Sequence, residues 1–85
     1  MVVEQSTWHV NDVVAYDLMR ELSNSVQAHL LELVRQGDPS AADRLSEIRR
    51  ATLAVDGYDR AAVDAYAQQL QQRDTELARS AADAS

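Results

Sequence analysis

Gly37, Pro39 and Gly57 are the only glycine and proline residues in the chain, and they cut it into three long stretches with no other strong helix breaker. Each stretch repeats its apolar residues at helical spacing, so the predicted fold is all-α, a small three-helix bundle. Strand-like character is confined to a possible extended start at Met1 to Val3. Asn11 is the expected N-cap of the first helix, with Asp12 in its first turn, where a negative charge suits the helix dipole. Gly37 closes that helix. Asp38 is then a cap with Pro39 at the first helical position, and Ser40 with Asp43 forms an alternative capping pair. The second helix is predicted from Pro39 to Val55, with Ala41, Leu45, Ile48, Thr52 and Val55 on one face. Gly57 ends it. Asp59 caps the third helix, whose stripe is Val63, Tyr66, Leu70 and Leu77. Residues 1–78 form the expected domain, and Arg79 to Ser85 a small, polar C-terminal tail with nothing to anchor it.

The first stretch carries an irregularity with functional meaning. At ~100° per residue, Val10, Val13, Val14 and Leu18 fall on one side, while Leu22, Val26, Leu30, Leu33 and Val34 fall roughly 150° away. Met19 and Leu31 lie off both stripes. One straight helix in a small bundle needs a single buried face. Either the first face is meant for a second partner, or the helix breaks near Ser23, Asn24 and Ser25, any of which can cap a new one. Trp8 to Met19 is read as the segment aimed at another surface. The expected bundle core is then Leu22, Val26, Leu30, Leu45, Ile48, Val63, Tyr66 and Leu70, and the expected partner-facing set is Trp8, Asp12, Val13, Val14 and Asp17.

Charge narrows the partner. Fourteen acidic residues against eight arginines give a formal charge of −6, which opposes a phosphate backbone and favours a basic partner. Nucleic acid is therefore not an expected ligand. Half of that charge comes from Glu4, Asp12 and Asp17, since Met1 to Met19 holds no arginine. No run approaches the ~20 apolar residues of a membrane span, and the acidic start is unlike a signal peptide. With no cysteine there is no disulfide framework or thiolate metal site. The expected setting is cytoplasmic, with no membrane contact. At 85 residues, with no Phe and a single Trp, the core is thin, and a bound partner would stabilise it by mass action.

The step Glu21-Leu22-Ser23-Asn24-Ser25-Val26 resembles the epsilon antitoxins of epsilon/zeta toxin–antitoxin systems, which carry a similar Glu-Leu-Ser-x-Ser-Val in their first helical region. The likeness continues through the apolar spacing from Leu45 to Tyr66 and the hinge Gly57-Tyr58-Asp59, and covers Trp8 to Ala78. It implies a three-helix bundle that binds a zeta-like toxin, a P-loop kinase whose family substrate is UDP-N-acetylglucosamine, in a hetero-oligomer that is a heterotetramer in the family. It also implies that the N-terminal helix obstructs the kinase nucleotide site. Asp17 falls where the family places an acidic residue pointing toward the kinase. One turn earlier the family tends to carry an aromatic, and this chain has Val14, with Trp8 as a possible source of aromatic bulk. The chain extends further at its N-terminus than the family pattern. It shows no separate DNA-binding domain, so autoregulation by this chain alone is not expected.

Other readings of the same residues are plainer. Trp8 packs on the bundle end as readily as it anchors an interface. Asp12 and Asp17 either mimic phosphate or simply start an acidic helix. His9 and His29 lack the companions of a metal or general-base site, so no catalytic residue, metal or cofactor is expected. Tyr58-Asp59-Arg60 is explained by a turn and cap. Arg49 and Arg50 hint at a basic spot, but Glu47 and Asp56 are close in sequence and a solvated face is expected there. An acyl carrier requires an Asp-Ser-Leu-like attachment site, which Asp38-Pro39-Ser40 is not. The Trp-x-Gly turn of secreted helical hairpins is absent at Trp8-His9-Val10, and sustained coiled-coil heptads are missing. The alternative to an antitoxin is a small helical adaptor or scaffold with an unrelated protein partner.

Overall fold

The computed structural model describes residues 10–84, which form α1 (Val10–Arg35), α2 (Ala41–Ala54) and α3 (Arg60–Ala84). No strand occurs among the described residues. The fold is a small all-α three-helix bundle in which α1 packs against both other helices. Cross-helix contacts fix the directions. Ser23 meets Thr52 and Gln27 meets Arg49, so α2 runs antiparallel to α1. Asp12 meets Arg60 and Ser25 meets Asp74, so α3 runs parallel to α1.

Helix length decides what stays uncovered. α1 has 26 residues and α2 has 14. At ~1.5 Å rise per residue, α2 is about 18 Å shorter. The connection between them is tight, so α2 starts beside the C-terminal end of α1 and is spent near Ser23. Val10 to Leu18 therefore extend beyond it.

The turns largely follow the local chemistry. Gly37 adopts φ 92°, its N–H donates to the Val34 carbonyl at 3.0 Å, and the Asp38 N–H reaches back to the Leu33 carbonyl at 3.0 Å. These two bonds close the end of α1 in a Schellman arrangement. A Cβ at Gly37 would meet nothing within 4 Å, so the constraint is the left-handed backbone and not space. α2 begins at Ala41, two residues later than expected. The Asp38 carboxylate accepts the Ser40 N–H and Oγ–H at 2.9 Å each, and Ser40 makes no side-chain cap bond. Those bonds hold the Asp38 carboxyl below its ordinary pKa. Their stabilisation is present above the unfolded-state value and is lost as pH falls through the lowered one. Asp59 caps α3 as expected, its Oδ1 accepting the Ala62 N–H at 3.1 Å.

Three expectations are corrected. α1 is already helical at Val10, so Asn11 lies inside it and is not its N-cap; the alternative of a break near Ser23 to Ser25, left open by the sequence, is decided in favour of one continuous helix. Arg79 to Ala84 continue α3 and are not a frayed tail, in keeping with the helix propensity of alanine and arginine. Met19, expected off the stripe, is fully buried, whereas Leu22 is only half-buried. The buried line of α1 is Met19, Ser23, Val26 and Leu30, a 4-3-4 spacing. It bisects the directions of α2 and α3, which meet the helix on two flanks.

The core closes around Val26, Leu30, Leu45, Ile48, Val63 and Leu70, with Ala41 buried and Tyr66 and Leu77 packed at its edge. Its polar members satisfy each other. The Ser23 and Thr52 hydroxyls lie 2.7 Å apart, Thr52 also donates to the Ile48 carbonyl at 2.7 Å, and the Tyr66 hydroxyl approaches Thr52 at 3.1 Å. Thr52 keeps two of these contacts when Ser23 is truncated. Ser23→Ala is therefore expected to cost about 1 kcal/mol in urea denaturation, and Thr52→Ala more, because it strips three partners of one contact each. A larger loss from Ser23→Ala than from Thr52→Ala would show that the hydroxyl pair is not organised around Thr52.

Candidate protein-binding surface

The part of α1 that outruns α2 carries an apolar surface the bundle does not use. Val10, Val14 and Leu18, one helical turn apart, are 78%, 60% and 52% exposed, and Val13 beside them is 41% exposed. Asp17 and Glu21 are exposed on the same side of the helix, interleaved with these residues. Isolated exposed aliphatics are ordinary, but a contiguous set with a charged margin is a candidate interaction surface. Presented on a helix, it suits insertion into a groove, with apolar anchors at i, i+4 and i+8 and carboxylates that select a basic rim.

The expected site residues separate into groups. Val13, Val14 and Asp17 lie together on this exposed surface. Trp8 lies outside the described residues. Asp12 does not join them. Its side chain lies toward α3, where Oδ1 accepts from Arg60 Nη1 at 3.0 Å, and Arg60 Nε reaches both Asp64 oxygens at 3.0 Å. Hydrogen bonds from Arg60 to Asp12 and Asp64 raise the Arg60 pKa above its ordinary value. Asp12 thus clips the start of α1 to the start of α3. Leu18 and Glu21 complete the exposed face and were not among the expected site residues, although their i+4 spacing from Val14 and Asp17 is legible in the sequence.

A second polar cluster joins α1 to α3. Ser25 Oγ donates to Asp74 Oδ1 at 2.7 Å, and His29 Nε2 lies 3.4 Å from the same oxygen. A hydrolytic triad needs the imidazole between the hydroxyl and the carboxylate. Here the carboxylate is the hub, so the cluster is a helix clamp. Among the described residues, no group of three or more His, Asp or Glu side chains is arranged to hold a metal, and no helix is long and apolar enough to cross a membrane. No family model, curated protein or solved structure matches this chain.

Proposed function

We propose that the chain is a non-enzymatic antitoxin whose α1 N-terminal face docks on a zeta-like P-loop kinase and occludes its nucleotide site. The observation that carries the reading is the exposed face Val10, Val13, Val14 and Leu18, left beyond the reach of α2 and flanked by Asp17 and Glu21. A P-loop gathers backbone N–H groups and a lysine to hold phosphates, so a carboxylate presented on an apolar helix complements it in charge. The resemblance around Glu21 to Val26 selects this partner class among proteins with a basic groove. Inhibition requires no chemistry from the antitoxin, since occupying the site excludes the nucleotide.

The test is co-expression with a zeta-like P-loop kinase, taken from the neighbouring reading frame where that frame carries a Gly-x-x-x-x-Gly-Lys-Ser/Thr motif, followed by an assay of phosphate transfer to UDP-N-acetylglucosamine. A complex that co-purifies, resists protease longer than the free chain and lacks activity until the antitoxin is removed is the expected result. A complex with full kinase activity would replace inhibition by an adaptor role, and failure to form a complex would remove the kinase as partner.

A further inference from the structure

A groove of about 300 Å³ runs between α1 and α2, lined by Tyr16, Arg20, Asn24, Gln27, Arg49 and Leu53. The charge of its lining is opposite in sign to the net charge of the chain. Two guanidiniums and no carboxylate line it, in a chain of formal charge −6. The Arg20 guanidinium carbon lies 5.9 Å from the centre of the Tyr16 ring, and Arg49 Nε donates to Gln27 Oε1 at 3.3 Å. Neither arginine has an ion-pair partner among the described residues. The carboxylates close to them in sequence are placed elsewhere. Asp17 and Glu21 belong to the exposed N-terminal face, Asp56 follows α2, and Glu47 lines a separate groove with Ile48 and Tyr66. Arg49 and Arg50 are both exposed, as expected of a solvated face, and Arg49 turns toward the groove while Glu47 lines a different one. Leu53, 87% exposed, adds apolar surface at the groove that no core residue covers.

We propose that this groove docks an acidic peptide segment bearing an apolar side chain, supplied by a partner protein. Arg20 and Arg49 would take its carboxylates, for which the planar guanidinium is suited. The side-chain amides of Asn24 and Gln27 offer donors and acceptors to its polar groups, and Leu53 takes its apolar residue. A nucleic acid matches the arginines but leaves the exposed Leu53 side chain without an apolar partner. The proposal is independent of the kinase reading, because none of the groove residues belongs to the face assigned to that partner.

The experiment uses the full chain and fluorescence anisotropy of a labelled peptide of about twelve residues, with Leu at every third or fourth position and Glu at most others. Arg20→Glu, Arg49→Glu and Leu53→Ser are each expected to weaken binding about tenfold. Arg50→Glu, an equal charge change outside the groove lining, is expected to weaken it less than about twofold, and Leu18→Asp on the other face to leave it unchanged. Circular dichroism matching the parent chain shows that these exposed substitutions leave the bundle folded. Equal losses for Arg49→Glu and Arg50→Glu would overturn the proposal in favour of bulk charge. Displacement of the peptide by a lower concentration of a single-stranded oligonucleotide would also overturn it. So would concentration-dependent self-association that Arg49→Glu abolishes, since the groove would then belong to a second copy of the chain.

Discussion

Met19→Ala is expected to be the most damaging single apolar truncation in α1, lowering the melting temperature by more than about 10 °C. Met19 is completely buried, and removing a side chain of that size from a packed site costs about 2–5 kcal/mol. A domain of this length has a total stability of only about 4–13 kcal/mol, and each kcal/mol moves the midpoint of such a domain by about 4–8 °C. Leu22→Ala is expected to cost less than half as much, because Leu22 is half-buried at the α1–α3 edge and solvent can fill the space it leaves. Thermal unfolding followed by circular dichroism ranks the two. Greater sensitivity at Leu22 would mean that the buried line of α1 runs through the aliphatic stripe and not through Met19, Ser23, Val26 and Leu30.

The reversed ranking of these two residues shows where the pattern in the sequence was sufficient. Around α2 it was nearly complete: Ala41, Leu45, Ile48 and Thr52 are all buried, on the face expected for them. α2 is covered mainly on one side, and a single apolar stripe describes such a helix well. α1 faces two helices. Its buried direction is the resultant of both, and the position at its centre is Ser23, a polar residue whose hydroxyl is satisfied by Thr52. Hydrophobic periodicity alone does not register a serine as core, so the apparent stripe shifted toward Leu22 and Leu33. Helix length was equally decisive and harder to read. The exposed face of Val10, Val13, Val14 and Leu18 was visible as a change of phase, but its freedom from the bundle depends on α2 ending at Ala54. Asp12 groups with Asp17 by sequence proximity. Its actual role depends on Arg60, forty-eight residues away, which no local pattern connects to it.

The same geometry sets the sharpest test of the proposed interface. Deleting Met1 to Asp17 would remove Ala15 and Tyr16, which pack against the core, together with the Asp12–Arg60 pair, so loss of inhibition would mix recognition with folding. Substitutions on the exposed face avoid this. Val14→Asp combined with Leu18→Asp is expected to weaken kinase binding by about 100-fold, because a central apolar contact is lost and two charges must be desolvated. Helicity and melting temperature should remain near those of the parent chain, since both side chains are more than half exposed. Asp17→Arg should weaken binding more than Asp17→Ala, as it sets a positive charge against a phosphate-binding lysine and adds repulsion to the loss of contact. Asp12→Ala should do the reverse of both, lowering stability by releasing α1 from Arg60 while leaving affinity for the kinase within about twofold. Titration calorimetry with thermal unfolding of each variant separates these effects. If Asp12→Ala reduces affinity as much as Asp17→Ala at unchanged stability, the ion pair must open in the complex and the face assigned here to the partner is too narrow. If the Val14 and Leu18 double variant still inhibits at stoichiometric concentration, the exposed face of α1 is not what blocks the nucleotide site.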